Sequence, residues 1–222
     1  MTDLSAALAA HHLAVLGGFH PAAEDGAPPG TRTLLMLGPA EPGFWPHVTA
    51  TAEWHDGQPD PIDRWSRRVI GRLACDLGGK ALFPFGGPPY HPFHRWALRT
   101  GRAWQSPVNL LVHADQGLMV SFRGALALRD HVDIPQPAPR PCDKCTAPCL
   151  SACPAQALTG AGYDVPACHD WLDTARGADC LTRACAVRRA CPVSQGYARL
   201  ETQSAYHMRR FHAGHSGGKS TP

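Results

Sequence analysis

The sequence has no uninterrupted apolar run approaching the roughly twenty residues that cross a bilayer. Its first residues lack the order of basic start, long apolar stretch and small-residue cleavage site of a secreted precursor. No membrane association is expected, and the chain is read as cytoplasmic. Charge of one sign is also scarce, since 21 Lys and Arg against 18 Asp and Glu leave a formal net charge of +3. The basic residues are scattered, so the electrostatic footprint of a dedicated nucleic-acid binder is weak. No Ser/His/Asp order, phosphate-binding glycine loop or internal repeat is seen outside the cysteine groups. An even cysteine count, as a disulfide framework would have, is absent too: of nine cysteines, eight follow residue 141 and Cys75 stands alone. That asymmetry points to a metal domain.

What is present is an ordinary globular composition, 44% hydrophobic and 18% charged, in a chain of 222 residues, enough for one substantial core and a small satellite. Residues 1–30 open with a helical pattern (Leu4 to Val15) and decay into Gly, Pro and Ala, which predicts an arm over the main domain. Thr33 to Leu37 reads as a buried strand ended by Gly38-Pro39. Asp60-Pro61 has the chemistry of a helix start, and Gly78-Gly79 that of a stop. Between them Ile62, Trp65, Val69, Leu73 and Leu77 form one apolar stripe, while Arg64, Arg67, Arg68 and Arg72 project elsewhere as a solvated face or a docking surface for an acidic redox donor. Cys75 lies off the stripe as a spare thiol.

A short strand is expected at Ala81 to Phe83 and a helix near Phe93 to Thr100. Further strands are expected at Val108 to His113, Leu118 to Phe122 and Ala125 to Leu128. The class is therefore α+β. Ile134 to Pro141, with four prolines, reads as a stiff linker. The domains predicted are an arm over 1–30, an α+β domain over 31–134, a cysteine domain over 135–200 and a loose tail over 201–222.

The first cysteine group is Cys142, Cys145, Cys149 and Cys153, followed by Pro154, with spacing C-x2-C-x3-C-x3-C-P. Bacterial ferredoxins with two [4Fe-4S] clusters use nearly this run: three thiolates hold one cluster and the Cys before Pro reaches across to the other. The second group, Cys168, Cys180, Cys185 and Cys191, closes on Pro192. Crossing logic assigns Cys142, Cys145, Cys149 and Cys191 to one cluster and Cys153, Cys168, Cys180 and Cys185 to the other. A pair of zinc sites with four cysteine ligands each is the competing reading, but it gives no reason for two Cys-Pro endings and a crossing ligand.

From Trp96 onward the order of features resembles epoxyqueuosine reductase and its relatives the reductive dehalogenases. The matching parts are a helix ending at Gly101, a loop with Trp104, Asn109-Leu110-Leu111-Val112, the segment Gly117 to Leu128, a proline-rich link and the two cysteine groups. Cys168 before Trp171-Leu172 also sits where that family places a lone ligand. The Gly117 to Leu128 segment further resembles the cobalamin-processing (type C) protein, whose fold belongs with flavin-dependent nitroreductases. The resemblance implies a nitroreductase-like first domain and a small bacterial ferredoxin-like dicluster domain. Two [4Fe-4S] clusters would feed a corrinoid held on the first domain, making an oxidoreductase. Phe85, Gly86, Trp104, Asn109 and Arg123 are the cofactor-binding candidates this gives. The family's acid near Phe83 to Pro88 is missing, and so is its tail for transfer RNA, which argues against reduction of a tRNA base. Three functions follow: a reductase with a corrinoid or flavin-like acceptor, a ferredoxin-type carrier serving a redox protein partner, and a cluster sensor without turnover. No catalytic residue is assigned.

Overall fold

A computed structural model describes residues 2–216. The chain runs α1 (Thr2–Ala9), β1 (Leu13–Phe19), β2 (Thr33–Pro39), α2 (Phe44–Thr49), α3 (Ala52–His55), α4 (Pro61–Asp76), β3 (Lys80–Leu82), α5 (Phe93–Arg99), β4 (Ala103–Gln105), β5 (Leu111–His113) and β6 (Gly124–Leu128). It continues through β7 (Leu158–Thr159), β8 (Gly162–Tyr163), α6 (Val165–Leu172), α7 (Ala178–Arg183), α8 (Ala186–Ala190), α9 (Pro192–Gly196) and α10 (Glu201–Ser216). The class is α+β, as the alternation of patterns implied. Two units form, Met1–Trp104 with Ser121–Pro139, and Gln105–Val120 with Arg140–Pro222. Among the described residues no helix is long and apolar enough to cross a membrane.

The first unit is built on an antiparallel sheet in the order β1-β2-β6-β3. The central strand β2 is buried along its whole length, which is why its sequence is an apolar run rather than an alternation. Leu35 faces Leu126 and Met36 faces Ala125 across the β2–β6 ladder, and Ala81 faces Leu126 on β3. Helix α4 buries Ile62, Trp65, Val69, Ile70 and Leu73. A Cβ on Gly124 would stand 2.9 Å from Ile70 Cδ1, so a glycine there lets helix and sheet approach closely. Trp96 on α5 is fully buried, and its indole N–H donates to the Asp25 carbonyl at 2.8 Å.

Several expectations are corrected. The supposed arm contains β1, whose Leu13, Leu16 and Phe19 are buried against the sheet; its apolar side chains needed that face more than its glycines needed freedom. Leu118 to Phe122 is turn and irregular chain, and β6 pairs with β2 and β3 instead of folding back on it. Asp60 has φ 52° and no side-chain capping bond; its carbonyl receives the Asp63 and Arg64 N–H groups.

The arginine face of α4 is largely paired. Arg64 meets Asp56 at 2.6 Å, Arg72 meets Asp76 at 3.0 Å and Arg68 pairs with Glu53. Cys75 is exposed, as expected.

Among the described residues the second unit has no large sheet. Short helices and the β7–β8 ladder pack around Val112, Leu118, Leu158, Leu172 and Val187, all buried. Gln105–Val120, expected in the first domain, groups with the cysteines instead, and the boundary falls after Pro139. Hydrogen bonds explain this: the Leu118 N–H donates to Ser194 Oγ at 2.8 Å, and Arg199 donates to the Met119 carbonyl at 3.0 Å. The predicted loose tail is α10 as far as Ser216, with Gln203, Ser204 and Ala205 buried; the rest of it lies outside the described residues.

Candidate metal centre

Each cysteine loop carries a backbone turn into left-handed space. Ala147 (φ 54°) lies between Cys145 and Cys149, Gln156 (φ 51°) follows Cys153-Pro154, and Ala184 (φ 96°) precedes Cys185. Such residues redirect the chain within one step. Here they bring side chains from separate loops to common hollows.

The first hollow is lined by Cys142, Cys145, Cys149 and Cys191, together with Ser106 and Leu118 among others. The second is lined by Cys153, Cys168, Cys180 and Cys185, with Tyr163 and Trp171 in its wall. The eight cysteines thus divide into two quartets, and Cys153 and Cys191 have each crossed from their sequence group to the other's hollow. None of the nine cysteines is in a disulfide. Among the described residues, no group of three or more His, Cys, Asp or Glu side chains is placed to hold a single metal ion.

Burial pushes the Cys142, Cys149, Cys168 and Cys180 thiols up from their ordinary pKa. Arg140 opposes this at Cys142, and the Tyr163 hydroxyl opposes it at Cys168. Sulfurs accept hydrogen bonds in both quartets: the Ala147 N–H donates to Cys145 Sγ at 3.4 Å, and the Tyr163 hydroxyl to Cys168 Sγ at 3.4 Å. Two further donors find no acceptor among the described residues. They are the buried hydroxyl of Ser106, in the first hollow's wall, and the buried indole N–H of Trp171, in the second's. An orphaned buried donor is costly, so both hollows suit an occupant rich in acceptor atoms, as sulfide and thiolate are.

Of the residues expected to bind a planar cofactor, Phe85 and Arg123 come together in the first unit, but with each other. The Phe85 ring carries the Arg123 guanidinium at 5.5 Å and that of Arg67 at 5.3 Å. Gly86 is exposed beside them and Trp104 is half-buried. Asn109 belongs to the second unit, where its side chain accepts from Gln105 at 2.7 Å and donates to the Gly160 carbonyl at 3.4 Å.

Sequence reasoning missed Asp63. Its carboxylate pairs with Arg123 at 3.2 Å, and burial holds its pKa above the ordinary range although Arg123 opposes the shift. The two are 60 positions apart, so no local pattern announces the pair. Also missed were Ser106, Gly117, Tyr163, Arg188 and Ser194, all beside the quartets. His113 is buried and accepts the Asp115 N–H at 3.1 Å, so it holds a turn. His91 stacks on Trp96, and His94 is exposed.

No protein-family model, curated protein or solved structure matches the chain.

Proposed function

We propose that this chain is an electron-transfer protein carrying two iron-sulfur clusters of the [4Fe-4S] type on a ferredoxin-like second unit. The observation that carries this reading is the division of eight cysteines into two sets of four, each around its own hollow, with the two Cys-Pro cysteines exchanged. Cys142, Cys145, Cys149 and Cys191 would hold one cluster, and Cys153, Cys168, Cys180 and Cys185 the other. Bound there, each would supply a one-electron couple whose potential answers to hydrogen bonds, charge and exposure. The chain's own contribution is to release thiol protons on loading, to fix Cys145 and Cys168 through the Ala147 N–H and the Tyr163 hydroxyl, and to shield the sulfurs with apolar walls.

Delivery of the electrons to a separate redox protein is favoured by the state of Phe85. The groups expected to cradle a corrinoid hold one another, and Arg67 and Arg123 already lie over the Phe85 ring, so these residues fit a planar cofactor poorly. A second reading is a reductase with a corrinoid or similar acceptor on a nitroreductase-like first unit. It is favoured by Asp63, which sets beside Arg123 the carboxylate that Phe83 to Pro88 lacks.

The test is anaerobic purification followed by absorbance spectroscopy and iron, sulfide, zinc and cobalt analysis. About eight irons and eight sulfides per chain are expected from two cubanes; zinc without sulfide would overturn the proposal. Titration with cob(II)alamin then separates the destinations. An unchanged corrinoid spectrum supports the carrier, and a change that Trp104→Ala abolishes supports the reductase.

A further inference from the structure

The sheet of the first unit is covered unevenly. Alternation along β2 puts Thr33, Leu35 and Leu37 on one face, and their register partners Leu128, Leu126 and Gly124 share it. Helix α4 lies over one end of that face, where Ile70 approaches Gly124, and the helix has stopped by Leu77. Elsewhere on the face, α1 and the segment after β6 leave a hollow of about 320 Å³, walled by Val15, Leu35, Leu77 and Leu128 with Ser5 and Ile134 beside them. That is the size of a small-molecule site.

The hollow is apolar within and acidic at its lip. Asp130 and Asp133 both line it and are exposed, and no basic residue does. Neither carboxylate has a hydrogen bond or ion pair among the described residues, whereas Glu53, Asp56 and Asp76 of the same unit are each paired with an arginine. His131, between the two acids in sequence, stacks on His20 at 3.7 Å. The acidic segment is held in place from below: Thr33, fully buried, donates from Oγ1 to the Asp130 carbonyl at 2.8 Å and accepts the Val132 N–H at 3.0 Å. Ile134 packs down onto bare backbone, its Cγ2 3.1 Å from where a Cβ on Gly18 would stand.

We propose that this hollow binds a small amphiphilic cation, a molecule with an apolar body and one protonated or quaternary amine. Walls of leucine and valine hold water poorly and gain by burying hydrocarbon. Two fixed carboxylates at a wet lip attract a positive end that can keep much of its hydration, as the charged heads of long side chains do. An anion would meet two like charges with no base beside them to offset the repulsion. The site lies wholly in the first unit, and it goes beyond the electron-transfer reading without depending on it. Binding alone is proposed, with no bond made or broken.

The experiment is calorimetric titration of the full-length chain with octylammonium, 1-octanol and 1-octanesulfonate, each kept below the concentration at which it forms micelles. Octylammonium is expected to bind most tightly and to weaken as sodium chloride is raised, while 1-octanol binds more weakly and without salt dependence. Asp130→Asn combined with Asp133→Asn should weaken octylammonium roughly fivefold, the contribution of two exposed charge pairs, and leave 1-octanol unchanged. Ser5→Trp should block both by filling the hollow from the lip. All three positions are exposed, and an unchanged thermal unfolding midpoint verifies the fold of each variant. Octanesulfonate or octanol binding as tightly as octylammonium would overturn the proposal, and so would octylammonium affinity unaltered in the double Asn variant. Binding that survives Ser5→Trp would place the ligand elsewhere and overturn it too. No octylammonium binding would also overturn it; a dimer in sedimentation that Ser5→Trp disperses would then give the hollow to a second copy of the chain.

Discussion

Gly117 lies directly against Cys191: a Cβ at position 117 would stand 3.0 Å from Cys191 Sγ and 2.5 Å from Ser194 Oγ, at a residue with φ +55°. The turn after β5 is therefore part of the first quartet's wall, and a side chain there would have to displace a sulfur or the start of α9. Gly117→Ala is expected to destabilise the second unit by roughly 1–3 kcal/mol, from overpacking together with a left-handed backbone unsuited to alanine. Iron should fall toward half. Full iron and sulfide with an unchanged unfolding midpoint would show that the wall yields.

The crossing of the quartets has its own signature. Cys142→Ala and Cys191→Ala should remove the same spectral component although the residues are far apart in sequence, and Cys153→Ala and Cys180→Ala should remove the other. Each variant should retain about half the iron, because each cubane needs four thiolates. If Cys191→Ala resembled Cys180→Ala in spectra that resolve the clusters, the assignment would be wrong.

Ala184 holds φ 96° and ψ 161° and is buried beside Cys185. That region is essentially restricted to glycine, and a non-glycine residue there costs about 1–3 kcal/mol. Ala184→Gly should raise the second unit's resistance to urea by about 1 kcal/mol after the entropy cost of glycine, with iron content preserved. A loss of stability would mean that the methyl group's packing outweighs the strain.

Asp25 gives a pH dependence to the first unit. Burial raises its pKa, but the Ala22 N–H at 2.9 Å and Arg99 at 3.1 Å outweigh that and leave it below the ordinary carboxylate value. A depressed folded pKa contributes stability above the unfolded value, and that contribution is lost as pH falls through the folded value. Asp25→Asn should therefore cost roughly 1–3 kcal/mol at pH 7, and the gap from wild type should narrow below about pH 4. Urea unfolding followed by tryptophan fluorescence at both pH values reads this. A gap independent of pH would assign the effect to shape instead of charge.

Much of this molecule was readable in the sequence wherever one segment held its own determinants. The α4 stripe, the apolar run of β2 and the stop at Gly78-Gly79 are local patterns, and the helix and strand appear where those patterns lie. The cysteine grouping is legible for a different reason: Cys-Pro endings and short spacings constrain which thiols can share a site. Folding decided what depends on distant partners. Leu118 to Phe122 has the composition of a strand, but Ser194, Arg188 and Arg199 take up main-chain groups of Leu118 and Met119. Leu13 to Phe19 looked like part of an arm, yet the edge of β2 offered its amides partners and its side chains a buried face. The pairing of Asp63 with Arg123 and the bond from Arg188 to the Leu118 carbonyl join residues many positions apart. Their chemistry comes from charge desolvated by a particular packing, and only the tertiary structure decides that.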